Sequence, residues 1–178
     1  MREPLRLARL AEADAIDALM KASTRDLFPA HYDAVQTKAS IQFIASVDTS
    51  LIEDGTYFVA EIEGELVACG GWSRRDKLFT GAGEAAGSAR LLDPATEPAR
   101  VRAMFVRSDW TRRGLGRGIL EACEAAARAE GFRKLALMAT LPGRRLYEAY
   151  GFRGAGQTMV RMPNGVEVAC EPMELSLS

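Results

Sequence analysis

Residues 107–118 read Arg107-Ser108-Asp109-Trp110-Thr111-Arg112-Arg113-Gly114-Leu115-Gly116-Arg117-Gly118. An apolar run, Val101 to Val106, precedes this stretch, and apolar residues at helical spacing follow it from Ile119 onward. The pattern predicts a strand that ends near Arg107, a basic glycine-rich turn, and a helix that begins near Gly114.

The chemistry of this turn favours an anionic ligand. The first N–H groups of a helix have no partner within the helix, and the helix dipole adds partial positive charge there. Glycines let the backbone approach a ligand closely, and Arg112, Arg113 and Arg117 add full charges. The turn therefore predicts a phosphate or pyrophosphate site; a solvated arginine–glycine loop is the alternative. Neither the Gly-Lys-Ser/Thr of a P-loop nor the Rossmann glycine spacing is present.

Length and composition indicate one globular domain over residues 1–178. The formal net charge of −1 favours neither nucleic acid nor a membrane surface, and no apolar run approaches the ~20 residues of a membrane span. Three scattered cysteines, Cys69, Cys123 and Cys170, predict a reducing cytoplasm, with Cys123 in the core. With one histidine, His31, and no paired cysteines, we expect no metal site.

The remaining patterns predict a mixed α/β sheet. Two helices are expected early, from about Asp14 and over about 33–45, the second with Val35, Ile41 and Ile44 facing inward. The other predicted elements are a hairpin over 56–72, a long loop over 80–98, a strand over 133–140, a helix over 142–150 and a final hairpin turning at Asn164-Gly165. This order leaves a parallel strand pair around the helix that follows Gly114.

The turn belongs to a longer pattern. Its first part is Met104-Phe105-Val106, then Asp109-Trp110 and Arg113-Gly114-Leu115-Gly116-Arg117, and its second part is Leu146-Tyr147-Glu148-Ala149-Tyr150-Gly151-Phe152. Together these motifs resemble the GNAT superfamily of N-acetyltransferases, and the order of elements agrees across most of the chain. The resemblance implies a GNAT-like α/β fold, with a mixed central sheet, a splayed parallel strand pair and flanking helices.

The resemblance also implies acetyl-CoA as cosubstrate. Its pyrophosphate is expected on the backbone N–H groups from Arg112 to Arg117, and its pantetheine arm along β-strand residues 105–107, like an added strand. The thioester is expected between the strands over 99–107 and 133–140. The predicted cofactor-binding residues are Phe105, Val106, Arg107, Arg112, Arg113, Gly114, Leu115, Gly116, Arg117 and Gly118.

The position of Tyr147 in the second motif implies a catalytic residue. A tyrosine at this place in similar enzymes donates a proton to the departing CoA thiolate, and a backbone N–H near Val106 is expected to hold the developing oxyanion. A phenol with a pKa near ~10 is protonated at neutral pH and can donate to a thiolate whose thiol has a pKa of roughly 8.5. The alternative is a core aromatic residue beside Tyr150 and Phe152.

The proton acceptor for the amine is not assigned by the resemblance. Many members carry a glutamate early in the central strand, about where this chain has Arg100. Either the base lies elsewhere, with Glu61 as a candidate, or the amine arrives less basic. This chain departs from the family pattern at three more positions, which bear on cofactor affinity and identity. It has Ser108 where proline is common, Thr111 where Gln or Arg is usual, and Thr140 where asparagine often occurs. The backbone anion site is compatible with all three.

The resemblance thus implies an acetyl-CoA-dependent N-acetyltransferase that moves an acetyl group to a primary amine of a small molecule or peptide by direct attack in a ternary complex. The alternative is a non-catalytic acyl-CoA-binding sensor or partner module of the same fold. Candidates for the acceptor pocket are Tyr32, Trp72, Arg74 and the 80–98 loop, and Arg100 and Arg102 suggest an acidic acceptor. The edge of the last hairpin suits a homodimer.

Overall fold

One mixed sheet organises the chain. The structure, a computed structural model, describes residues 5–77 and 90–178, so residues 80–89 of the predicted long loop lie outside the described residues. The strands are β1 (Leu5–Leu7), β2 (Tyr57–Ile62), β3 (Glu65–Ser73), β4 (Ala99–Val106), β5 (Lys134–Thr140), β6 (Arg153–Gly154), β7 (Thr158–Arg161) and β8 (Glu167–Ser176). Their order is β1-β2-β3-β4-β5-β8-β6, with β7 also pairing with β8.

Five α-helices flank the sheet in the described residues. They are α1 (Ala13–Leu27), α2 (Ala34–Phe43), α3 (Thr49–Glu53), α4 (Leu115–Ala129) and α5 (Arg144–Tyr150). The predicted start of α4 near Gly114 is confirmed, and Gly131 and Gly151 follow α4 and α5 with positive φ of 93° and 121°. The pattern did not predict α3, which begins after Asp48, whose side chain accepts a hydrogen bond from Ser50 N at 3.0 Å.

The orientation of α2 differs from the prediction. Val35 is 63% exposed rather than inward-facing, whereas Ile44 is half-buried and packs against the core as predicted, and the helix also buries small residues, including Ala39 and Ser40. The Gln36 side chain donates to Glu167 O in β8 at 3.1 Å, which ties the polar start of α2 to the sheet. Close packing of small residues, rather than the apolar pattern, therefore sets which face of α2 turns inward.

The parallel pair at the centre of the sheet is splayed. β4 and β5 pair over Ala99↔Leu135 and Arg100↔Ala136, and no further pairing joins these two described strands. β5 remains paired with β8 on its other side as far as Thr140. The predicted fold, a mixed α/β sheet with a splayed parallel pair and flanking helices, is confirmed.

A β-bulge interrupts β4 beside the splay. Cys69 of β3 pairs with Phe105 but Gly71 pairs with Arg102, so β4 carries an extra residue in between. Ala103 has a positive φ of 51°, and its carbonyl oxygen accepts a hydrogen bond from Tyr57 Oη at 2.6 Å. The bulge re-aims the β4 backbone next to the gap between β4 and β5.

The core lies on both faces of the sheet, and it includes all three cysteines. Cys69, Cys123 and Cys170 are buried and unbonded to sulfur, as predicted for Cys123, and burial raises the pKa of Cys69 and of Cys170 to about 12. No group of potential metal-ligating side chains occurs among the described residues. Nor does any helix in those residues have the length and hydropathy needed to cross a bilayer.

Replacement by alanine should change the unfolding free energy in opposite directions at two glycines, one in β3 and one in α4. A Cβ at Gly71 would lie 2.9 Å from Tyr57 Cα and even nearer the Thr56 carbonyl oxygen, and neither backbone atom can rotate away. We expect Gly71→Ala to cost about 1–3 kcal/mol of unfolding free energy. A Cβ at Gly118 in α4 would meet Leu5 Cδ1 at an ordinary 3.5 Å, so Gly118→Ala should add about 1 kcal/mol through helix propensity. Urea unfolding measures both, and equal midpoints would contradict this packing.

Candidate active site

A cleft of about 740 Å³ lies where β4 and β5 diverge. One wall is β4 from Val101 to Val106, and the other is formed by the end of β5 and the start of α5. The basic turn and the first residues of α4 form one end, and the last turn of α1 lies alongside. The family motifs at 104–118 and 146–152 therefore meet at one cavity.

The free edge of β4 offers backbone groups to this cleft. Arg107 N donates to Val67 O at 2.9 Å, and Phe105 pairs with Cys69. Val106 lies between these two residues, opposite Ala68, and so belongs to a pair without ladder hydrogen bonds. Its N–H and C=O therefore point away from β3, toward the gap left by β5, and the C=O already accepts a hydrogen bond from Ser23 Oγ at 2.7 Å. A partner that lies in the gap can bond β4 there as an added strand would.

The start of α4 presents a row of N–H groups to the same cleft. Arg112 and Gly114 have positive φ of 61° and 83°, and Gly114 is the N-cap residue. The first helical hydrogen bond runs from Gly118 N to Gly114 O at 2.9 Å, so the N–H groups of residues 115–117 precede the helical ladder. These three residues line the cleft and Gly118 does not. The geometry supports an anion site at 115–117, and the N–H of Gly118 is not available to it.

Three arginine side chains in and beside the turn contact other groups of the protein. Arg113 lies over the Trp110 ring at 4.4 Å, and Arg117 lies over the Tyr150 ring at 5.2 Å. The Arg107 guanidinium bonds the carboxylates of Glu65 and Asp109. Neither Arg107 nor Arg113 lines the cleft, whereas Arg117 does. The side chains of Arg107 and Arg113 thus support the turn, whereas Arg117 packs on Tyr150 and also lines the cleft.

Arg112 and Arg145 face the cleft instead. Both line it, and both also line a second groove of about 500 Å³ next to it, which His31 and Pro142 share. Arg144, in the same groove, bonds Glu148 at 3.0 Å and lies 3.4 Å from a Glu171 carboxylate oxygen. Sequence reasoning missed Arg145, although it stands in a basic pair directly before the second motif. The mouth of the cleft is therefore positive on two sides.

Tyr147 lies in α5 on the β5 side of the cleft. It is 9% exposed, lines the cleft, and packs edge-on against Phe152 with ring centroids 5.9 Å apart. Burial raises the pKa of Tyr147 above its ordinary value. A Cβ at Gly143 would lie 3.0 Å from the Tyr147 ring, so this glycine makes room for the ring. Tyr147 thus packs as a core aromatic residue and also lines the cleft, and its predicted catalytic role stays a prediction.

No carboxylate is found among the described residues that line the cleft. Glu61, the candidate base, does not line it; its side chain is 38% exposed and accepts a hydrogen bond from Arg6 of β1. Arg100 bonds Asp76 at 3.1 Å and also lies outside the cleft lining. Arg102 lines the cleft and bonds the buried carboxylate of Asp48 at 3.1 Å.

The proposed acceptor-pocket residues are placed in other roles. Trp72 is 1% exposed and packs against Phe132 at 5.9 Å, so it is a core residue. Arg74 lies over the Trp72 ring and bonds Glu130 at 2.8 Å. Tyr32 is buried and does not line the cleft. In each case the role follows from a contact with a residue distant in sequence, which a local pattern does not report.

A family model agrees with this geometry. The model described as "Acetyltransferase (GNAT) family" matches residues 16–152, more than half of the chain. No curated protein matches the chain by sequence.

Three solved structures described as acetyltransferases have the same architecture. A GCN5-related N-acetyltransferase from Rhodopseudomonas palustris has a TM-score of 0.75 at 20% identity, over 99% of this chain and 97% of that one. The PaiA N-acetyltransferase of Thermoplasma acidophilum, in complex with coenzyme A, has a TM-score of 0.68 at 11% identity, over 99% of each chain. The putative acetyltransferase yncA of Salmonella typhimurium, with its cofactor acetyl-CoA, has a TM-score of 0.64 at 18% identity, over 100% of this chain and 95% of that one. At these identities the likeness shows the fold.

Proposed function

This chain belongs to the acetyltransferase (GNAT) family, and we propose that it moves an acetyl group from acetyl-CoA to a primary amine by direct attack in a ternary complex. The observation that carries the proposal is the convergence on one cleft of three features. They are the free β4 edge at Val106, the N–H groups at the start of α4, and the Tyr147 side chain.

The residues present fit a CoA thioester. The N–H groups of residues 115–117 and the guanidinium groups of Arg112 and Arg145 suit a pyrophosphate. The backbone of Val106 suits the amide groups of a pantetheine arm, which would lie in the gap between β4 and β5. Once bound, acetyl-CoA supplies the activated acetyl group. The second groove, with Arg112 and Arg145, is the place we assign to the 3′-phosphate end.

In this arrangement the chain supplies one proton and one oxyanion contact. The Tyr147 hydroxyl would donate its proton to the departing thiolate, and a backbone N–H of β4 near Val106 would face the carbonyl oxygen on which charge develops. The amine must attack in its neutral form. For an amine with a pKa near ~10.4, deprotonation at pH 7 costs about 4–5 kcal/mol.

The pH dependence should follow the amine rather than the protein. The described cleft lining holds no carboxylate, and its histidine, His31, lies in the part shared with the second groove, so we propose that the amine loses its proton to water before it attacks. We then expect kcat/KM for the amine to rise about tenfold per pH unit below the amine pKa and to level off above it. Two amines whose pKa values differ by about two units should give inflections that differ equally. One fixed inflection for both would mean that a group of the protein takes the proton.

The Arg145 side chain should contribute to cofactor binding. A hydrogen bond to a charged group is worth about 1.5–3 kcal/mol, so Arg145→Ala should weaken acetyl-CoA binding by roughly 10- to 100-fold. Arg153→Ala, an exposed arginine of β6, is the matched control and should leave affinity unchanged. Isothermal calorimetry at two salt concentrations measures both variants. If dephospho-CoA removes the difference between wild type and Arg145→Ala, the arginine reads the 3′-phosphate; equal affinities for acetyl-CoA would refute the assignment.

The decisive test combines binding with turnover. Calorimetry with acetyl-CoA comes first, followed by release of free CoA in the presence of a panel of amines that differ in charge. Binding with turnover is the expected outcome. The absence of a carboxylate from the described cleft lining favours one alternative, an acyl-CoA-binding module without turnover; tight binding with no CoA release from any amine would select it. The cytoplasmic location, the homodimer and the single domain over residues 1–178 stay predictions.

A further inference from the structure

The end of α1 and the turn after it bridge the gap between the diverging strands. Ser23 lies in the last part of α1, and Tyr32 follows the short 3-10 turn Phe28–Ala30. Both side chains are buried, and each bonds a backbone group at the end of a different wall of the cleft. This bridging segment, residues 23–32, joins two walls that strand pairing does not join beyond Arg100.

One end of the bridging segment is bonded to β4. Ser23 Oγ donates to Val106 O at 2.7 Å, and Ser23 itself lines the cleft. One turn later, the Asp26 carboxylate accepts a hydrogen bond from Ser108 Oγ at 2.8 Å. These two contacts fix the last turn of α1 to the end of β4.

The other end is bonded to β5 and β8 through a single hydroxyl. Tyr32 Oη accepts a hydrogen bond from Leu141 N at 2.9 Å and donates one to Ala169 O at 2.7 Å. Leu141 directly follows β5, and the neighbour of Ala169 in β8, Cys170, pairs with Thr140 at the end of β5. The Tyr32 hydroxyl thus satisfies one backbone donor and one backbone acceptor where β5 ends.

The middle of the bridging segment is packed rather than loose. Phe28 is buried, its ring centroid lies 5.4 Å from that of Tyr32, and both pack with Val168 and Cys170 of β8. Phe28 also lines the cleft. A segment bonded at both ends and packed between them transmits the position of one wall to the other.

We propose that Ser23 and Tyr32 are positioning residues that set the distance between the ends of β4 and β5, and thereby the size of the acyl group that the cleft accepts. The inference rests on the proposed use of an acyl-CoA, since an acyl group on the thioester lies between these walls. Loss of either bond frees one wall, so a longer acyl group then fits at smaller cost. A single methylene in a close-fitting apolar site changes discrimination by roughly 10-fold or more.

The first part of the test needs no ligand. Hydrogen exchange of the free protein is followed by mass spectrometry in wild type, Ser23→Ala, Tyr32→Phe and a control, Thr56→Val. The control removes a similar buried bond, Thr56 Oγ1 to Leu51 O at 3.2 Å, away from the cleft. We expect about fivefold faster exchange over residues 138–147 in Tyr32→Phe, as for the loss of one net hydrogen bond, and no such change in the control.

The second part measures acyl selectivity. The ratio of kcat/KM for butyryl-CoA to that for acetyl-CoA should rise about fivefold or more in Ser23→Ala and Tyr32→Phe, whereas the control should lower both values equally or not at all. A general loss of stability cannot raise this ratio. Both variants are used so that failure of one to fold leaves the other as the test.

The outcomes separate the two proposals. Exchange at 138–147 that matches the control overturns the bridging role whether or not the protein has activity, and an unchanged acyl ratio overturns it in an active protein. If wild type binds no acyl-CoA, the proposed function fails, and faster exchange in Tyr32→Phe alone still supports the bridge as the feature that fixes the end of β5.

Discussion

Tyr147→Phe is expected to lower kcat by about 100-fold or more, because a positioned general acid contributes roughly 10²–10⁴ to a rate. The ring of Tyr147 is buried against Phe152, and phenylalanine preserves that contact, so the cleft should keep its shape. Acetyl-CoA affinity should therefore stay within about fivefold, since a net neutral hydrogen bond is worth only ~1 kcal/mol. Single-turnover release of CoA, together with calorimetry, separates the two quantities.

The pH profile sharpens this test. Because burial raises the pKa of Tyr147, its hydroxyl stays protonated through the range in which amines gain reactivity. Wild type should show no loss of activity up to the ordinary tyrosine pKa of ~10.

Tyr150→Phe is the matched control, because the Tyr150 hydroxyl lies 3.3 Å from Glu124 and outside the cleft lining. A Tyr147→Phe enzyme as fast as this control would assign Tyr147 to packing alone and the thiolate proton to solvent.

Gly116→Pro is expected to weaken acetyl-CoA binding by roughly 10- to 100-fold, the cost of one hydrogen bond to a charged group. Gly116 is the second residue of α4 and lines the cleft, and proline there removes an N–H that precedes the helical ladder. Its ring also meets Leu146 Cδ2, which a Cβ at this position would approach to 2.6 Å. Calorimetry measures the affinity, and thermal unfolding measures the stability.

A matched proline control separates the lost N–H from helix disruption. Val35 is also the second residue of its helix, α2, and its exposed side chain does not line the cleft. Val35→Pro imposes the same backbone restriction on the preceding residue, and it should leave acetyl-CoA affinity unchanged. If both variants lose affinity equally, the effect of Gly116→Pro is structural and the pyrophosphate site is not at this helix terminus.

The regular elements were predictable because each follows a local rule. The strand before Arg107, the turn at Gly114 and the helix to Gly131 combine an apolar run, glycines at positive φ and helical spacing, all of which act within a few residues. The splay between β4 and β5 is different, because periodicity does not report it. It was expected from the family resemblance.

The bulge and the side-chain directions depend on contacts that a local pattern lacks. Ala103 adopts a positive φ without being glycine, held where Tyr57 bonds its carbonyl. Arg113 turns to Trp110 and away from the cleft. Arg145, which the motif comparison passed over, reaches the cleft because α5 begins directly after β5 ends. Composition identified the basic turn, and only tertiary contacts decide which of its charges a ligand meets.

Because the three cysteines are buried, their labelling by a thiol reagent reports when the native structure opens. A thiol with a pKa of about 12, as for Cys69 and Cys170, is ionised to roughly one part in 10⁴ at pH 8. A thiol-reactive dye therefore records CoA released in the reaction with little background from the native protein. Any slow labelling of the cysteines that remains gives the rate at which the protein opens and exposes its interior. The same reagent therefore measures turnover over minutes and unfolding over hours.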